Sequence, residues 1–170
     1  LKRQYLLLII VVILVILAIY QNKPINKEEL PTVGYQAPSI SLTGLDGNPY
    51  TLEELGDKPI VVNFWASWCG PCKLEAPELV RLYGKYKDEI EIYAVNVTTS
   101  DTIEDAQDFA EEYGINFPIL LDVDGEVSRK YQIKPIPTTF FINKDGVIME
   151  KLYGVADPSS LENKFKQLLQ

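Results

Sequence analysis

The apolar run Ile60-Val61-Val62-Asn63-Phe64-Trp65-Ala66 ends at Ser67-Trp68, and Cys69-Gly70-Pro71-Cys72 follows at once, opening a segment of helical composition that reaches about Lys87. The run reads as a buried strand, and Pro71 suits the first turn of a helix, where its missing N–H has no acceptor to lose. Cys69 and Cys72 are the only cysteines in the chain. Two thiols this close, at the mouth of a helix, can switch between dithiol and disulfide with little backbone movement.

The flanking sequence repeats the alternation of strand and helix. Ile90 to Val97 reads as a second strand and Ile103 to Tyr113 as a helix capped by Asp101 or Thr102, with Glu104 and Asp105 in its first turn. Ile119 to Leu121 reads as a strand, and Glu126 to Tyr131 as a short helix. Thr138 to Ile142 and Val147 to Leu152 are strands joined by the tight turn Asn143-Lys144-Asp145-Gly146. The last helix starts with Asp157 as N-cap and Pro158 at its first position, and places Leu161, Phe165, Leu168 and Leu169 on one face. This order predicts an α/β fold, a central mixed sheet with helices on both faces. Upstream, Ser39 to Leu52 reads as a β-hairpin turning at Asp46-Gly47-Asn48, and Thr51-x-x-Glu54 as the cap of one helical turn ending near Gly56.

Leu6 to Ile19 is wholly apolar, flanked by Tyr5 and Tyr20, with Lys2 and Arg3 before it and Lys23 after. As a helix, Tyr5 to Tyr20 would span roughly 24 Å, somewhat less than the ~30 Å hydrocarbon core, so its ends must lie in the interface. Ala18-Ile19-Tyr20 lacks the small-residue pattern of a cleavable signal, which favours an uncleaved anchor. The expected organisation is a single transmembrane helix within residues 1–21, a tether over 22–34 marked by Pro24, Pro31 and Gly34, and one domain over 35–170. With Lys2 and Arg3 retained inside, the expected location is the cell membrane, single-pass, with the C-terminal domain extracytoplasmic.

Charge and composition exclude several functions. The chain carries 16 Lys+Arg against 24 Asp+Glu and no histidine. An acidic domain has nothing with which to neutralise phosphates, so no nucleic-acid partner is expected. Without histidine there is no Cys-His or Ser-His catalytic pair. A Cys-x-x-Cys can be half of a zinc or copper site, but only Met149 remains as a soft ligand, so no metal is expected. A purely structural disulfide closing so short a loop would remove little unfolded-state entropy. Redox exchange remains. Helix N-terminal amides stabilise a thiolate, so Cys69 is expected to ionise below the ~8.5 of free cysteine and attack first. Cys72, one turn inside and shielded by its helix, is expected to resolve the mixed disulfide, while Gly70 leaves the mouth open to a partner chain. The redox-active pair Cys69–Cys72 needs no further cofactor. Trp68 is expected to line the site and Trp65 to lie between core and site wall. Pro77 is expected to kink the helix.

Trp65-Ala66-Ser67-Trp68-Cys69-Gly70-Pro71-Cys72-Lys73 resembles the active site of thioredoxins. The anchor, the hairpin and Val61-Val62-Asn63-Phe64-Trp65-Ala66 resemble more specifically the ResA/TlpA-type extracytoplasmic thiol-disulfide oxidoreductases, over about residues 34–170. The resemblance implies a thioredoxin fold with an N-terminal β-hairpin extension. From the residues alone, Pro135 and Pro137 serve equally well as turn prolines, and a cis or a trans bond is open. The resemblance assigns a cis bond to Ile136-Pro137, with Ile136 backbone groups free to pair with an extended substrate strand beside Cys69, and Gly70 and Pro71 also expected to contact the substrate. Cytoplasmic thioredoxins carry an acid where this chain has Asn63, and an apolar residue where it has Glu75. Glu75 lies at i+3 from Cys72, so burial would raise its pKa toward that of a base able to take the Cys72 proton. The resemblance implies disulfide-containing exported proteins as substrates, a membrane-embedded electron donor, and roles in cytochrome c maturation or spore-envelope assembly. Gly70-Pro71 favours the reducing direction. Two alternatives are a thiol-dependent peroxidase of the peroxiredoxin-like type and a non-catalytic module that binds unfolded chains.

Overall fold

The computed structural model describes residues 4–5, 11–13 and 26–170. The expected anchor falls almost wholly outside these residues, and among the described residues no helix is long and apolar enough to cross a membrane. The expected tether differs in its C-terminal part. Strand β1 (Asn26–Glu29) pairs in parallel with β2 (Tyr35–Gln36), Pro31 is buried, and the Gly34 N–H donates to the Ile148 carbonyl at 2.8 Å. Backbone pairing needs no apolar periodicity, which is why the sequence pattern did not reveal it.

The hairpin β3 (Ser41–Gly44) and β4 (Pro49–Thr51) is followed by a 3-10 turn at Glu53–Leu55, where the Thr51 hydroxyl accepts from the Glu54 N–H at 3.3 Å. The core then alternates: β5 (Ile60–Trp65), α1 (Gly70–Tyr86), β6 (Glu91–Asn96), α2 (Ile103–Tyr113), β7 (Ile119–Leu121), α3 (Glu126–Lys130), β8 (Thr138–Ile142), β9 (Ile148–Tyr153) and α4 (Pro158–Leu168). The cap of α2 is Thr102, whose hydroxyl accepts from the Asp105 N–H, and Asp157 caps α4 in the same way through Ser160. Helix α1 continues through Pro77.

Seven strands form one sheet in the order β4-β3-β7-β6-β5-β8-β9, parallel at β5·β6 and β6·β7 and antiparallel elsewhere. This is the mixed sheet that the alternation predicts. Successive side chains of β5 point to opposite faces. Val61 and Trp65 pack under α1, α2 and α4 with Leu79, Phe109, Leu161 and Phe165. Ile60, Val62 and Phe64 pack on the other face with Val127, Tyr131 and Phe140. Phe64, Tyr131 and Phe140 form a ring cluster with centroids 5.0 to 5.9 Å apart. Both faces of β5 are therefore fixed by packing, so the strand end that presents the cysteine loop sits on a rigid base.

Candidate active site

The chain leaves β5 at Trp65 and enters α1 at Gly70. In this short loop the Cys69 N–H donates to the Ala66 carbonyl at 3.2 Å, and the Val97 N–H holds the Trp65 carbonyl at 2.9 Å. Cys69 is the N-cap of α1 in an extended conformation, and its Sγ accepts from the Cys72 N–H at 3.2 Å. The two sulfurs form a disulfide, with S–S 2.06 Å. Residue burial does not distinguish them: each cysteine is 3% exposed, although the sequence suggested an outer sulfur and a shielded one. What does differ is electrostatics, since the Cys72 amide at the helix N-terminus points at Cys69 Sγ. Gly70 and Pro71 are exposed between them and mark the direction of approach.

Asp101 braces the loop from the far end of β6. Its carboxylate accepts from the Ser67 N–H at 2.7 Å, the Ser67 hydroxyl at 2.5 Å, the buried Asn96 amide at 2.8 Å and the Thr102 N–H at 3.0 Å. Burial raises the Asp101 pKa, but these donors outweigh it and hold the carboxyl below its ordinary value. Trp68 is 60% exposed, with its indole N–H fixed to the Ser100 carbonyl at 2.7 Å, so one aromatic face is offered beside the disulfide. Trp65 is core: it is buried and stacks on Phe109 at 4.5 Å. A water-sized cavity of about 10 Å³ lies behind Cys72, lined by Asn63, Trp65, Ala76, Phe109 and Phe117.

Ile136-Pro137 is cis. Pro137 is buried, and its carbonyl accepts from the Gly154 N–H at 2.8 Å. The half-buried Ile136 packs against the cluster that contains Cys69 and Cys72, and among the described residues its own N–H and C=O make no backbone hydrogen bond. An extended chain laid along Ile136 can take up those two groups.

Glu75 is 2% exposed, in the second turn of α1. Its Oε2 accepts from Asn63 Nδ2 at 2.9 Å, and its Oε1 is buried with no partner among the described residues. Burial pushes the carboxyl up to about 7, while the Asn63 amide works in the opposite direction. A group so placed can hold or release a proton near neutrality.

The sequence brought Cys69, Cys72, Glu75, Trp68, Gly70, Pro71, Ile136 and Pro137 forward, and the structure places them at or under the N-terminal end of α1 and the loop that packs against it. Sequence reasoning does not reach Asp101 as the brace of the cysteine loop, nor Thr139, whose Oγ1 accepts from Asn63 Nδ2 at 2.9 Å. The sequence offers Asp101 only as a helix cap, and Thr139 is a small polar residue in a strand with nothing local to single it out.

Residues 33–151 match the AhpC/TSA family. The thiol-disulfide oxidoreductase ResA of Bacillus cereus is 33% identical over 164 residues, 96% of this chain and 93% of that protein. ResA of Bacillus subtilis is 37% identical over 131 residues, 76% of this chain and 72% of that protein. The solved structure described as thiol:disulfide interchange protein DsbE from Chlorobium tepidum superposes with a TM-score of 0.73 at 30% identity, covering 79% of this chain and 96% of that one. Likeness on this scale takes in the sheet and the cysteine-bearing helix together, and the chain belongs to the ResA-like thiol-disulfide oxidoreductases of the thioredoxin superfamily.

Proposed function

We propose that this oxidoreductase works as a reductase of disulfides in exported proteins, held at the membrane by residues 1–21 with its domain on the extracytoplasmic side. The apolar run from Leu6 to Ile19 and the basic pair before it support the anchor and its orientation. Gly70-Pro71 between the cysteines supports the reducing direction. Family likeness offers two substrate classes, the haem-binding cysteine pair of apocytochrome c and spore-envelope proteins. An exterior compartment lacks the cytosolic reducing pool, so a membrane-embedded donor must return the Cys69–Cys72 disulfide to the dithiol.

The observation that carries the reading is Cys69 as N-cap, its sulfur facing a helix amide at the open end of α1. In the reduced protein the Cys69 thiolate attacks one sulfur of a substrate disulfide. The substrate S–S bond breaks, and the departing sulfur leaves as a thiolate and takes up a proton. Glu75 then accepts the Cys72 proton, and the Cys72 sulfur attacks Cys69 Sγ. The Cys69–substrate bond breaks, the second substrate sulfur leaves and is protonated, and two electrons have passed from the dithiol to the substrate. Trp68 and Ile136 hold the substrate chain on either side of the sulfurs.

Trapping tests this directly. A Cys72→Ala variant in its native membrane should accumulate Cys69-linked exported proteins identifiable by mass. If reduced Cys69 captures none, the reading fails. The AhpC/TSA match favours one second reading, a thiol-dependent peroxidase. Peroxide consumption no faster than that of an ordinary thioredoxin would dismiss it.

A further inference from the structure

Position 63 interrupts an otherwise apolar strand, and its direct partner across the antiparallel pair is Thr139, in the Thr138-Thr139 pair that opens β8. Opposed residues of such a pair lie on one face within reach of each other. Both are closed to solvent, Asn63 at 3% and Thr139 at 0% exposure. The two hydrogens of Asn63 Nδ2 are both engaged, one by Glu75 Oε2 and one by Thr139 Oγ1, each at 2.9 Å. An amide held at both hydrogens cannot turn without losing both bonds. Glu75 is thereby pinned through Oε2, and Oε1 is the oxygen left over.

We infer that Asn63, braced by Thr139, is a positioning residue that fixes Glu75 so that Oε1 serves as the proton acceptor for Cys72. The inference rests on the proposed role of Glu75. An N–H donated to a carboxylate favours its ionised form, so the same contact also sets how strongly Glu75 holds a proton. Burial and the Asn63 amide are the two causes acting on Glu75, and no charged group contributes. The elements around it bring few ionisable groups. Strands β5 and β8 supply Asn63 and Thr139, and β6, α2 and α4 pack into the same cluster through Ala94, Phe109 and Leu161. On α1 itself the titratable neighbours are Cys72, once reduced, and Glu78, which is tied to Arg81 at 2.6 Å.

The test follows Glu75 by carboxyl ¹³C titration in the whole chain, together with the pH profile of resolution of a Cys69-linked peptide. Asn63→Ala should move both midpoints upward by about one unit, tenfold in proton affinity. Resolution then slows near pH 6 but not well above the new midpoint, whereas simple structural damage would slow it throughout. Thr139→Val, close to isosteric, should shift the midpoints in the same direction by less, and it carries the test if Asn63→Ala does not fold. Thr139→Ser should restore the wild-type profile. In a Glu75→Gln background, Asn63→Ala should add no further slowing. Unmoved midpoints in Asn63→Ala and Thr139→Val, or additive slowing in the Gln background, would overturn the inference while leaving the role of Glu75 intact. Glu75→Gln resolving at the wild-type rate would instead remove that role.

Discussion

Replacing Glu75 with Gln removes an ionisable group from a place that disfavours its charge, and the consequence for stability can be worked out from the site. Burial raises the carboxyl from 4.5 to about 7, against the pull of the Asn63 amide. In the unfolded chain the same group titrates near its ordinary value. Between the two values the folded protein keeps a proton that the unfolded chain has released, so stability falls as pH rises through this window. The contribution is fully present below the unfolded pKa and gone above the folded one. A gap of about 2.5 units is worth about 3 kcal/mol. Relative to Glu75→Gln, the wild type should therefore lose about 3 kcal/mol between roughly pH 4 and pH 8. The assay is urea unfolding of both proteins in the disulfide form across that range. Any packing offset introduced by the Gln amide is constant with pH, so the change in the difference isolates the ionisation. Stability curves that run parallel would refute the burial argument and, with it, the case for Glu75 as a base near neutrality.

Asp101→Ala removes the acceptor for four donors around the cysteine loop. Stability in urea should drop by about 3 kcal/mol, with faster amide exchange at Ser67 and slower disulfide exchange per folded molecule. Phe165→Ala empties a fully buried position between α4 and the sheet, costing about 3–5 kcal/mol in the same assay while leaving the exchange rate of the folded fraction near wild type.

The sheet was legible because its strands are short apolar runs separated by helices whose first residues announce themselves: Pro71 at α1, Thr102 before α2, Asp157-Pro158 at α4. Each signal is local, so reading one does not depend on the others. The cysteine pair was legible for a similar reason, since its spacing fits one turn at the start of a helix, whereas Glu75 came forward only through the resemblance, as a carboxylate where thioredoxins carry an apolar residue. Asn63 stands out only through the resemblance, as the residue where cytoplasmic thioredoxins carry an acid, and its partner could not be read. The register that sets Thr139 beside it joins positions 76 residues apart. Asp101 is comparable, because its proximity to Ser67 depends on β5 and β6 ending side by side. The strand at Asn26–Glu29 escaped because it is recognised by its backbone pairing with β2, which leaves no mark in the side-chain pattern. The anchor was read from Leu6 to Ile19, which falls almost wholly outside the described residues.

The equal burial of Cys69 and Cys72 alters how their division of labour should be understood. If exposure selected the attacking sulfur, any change that opened the loop would favour both thiols alike. What differs between the two is what each sulfur meets. Cys69 faces the amide of Cys72 at the positive end of a 17-residue helix, which favours a thiolate. Cys72 sits over the cavity shared with Asn63, Trp65 and Phe109, and burial of this kind favours a neutral thiol over a thiolate. Two sulfurs joined in one disulfide thus meet different surroundings before it opens. The electrostatic difference resides in the α1 terminus and in Glu75, both held by the rigid sheet beneath, rather than in any movement of the loop.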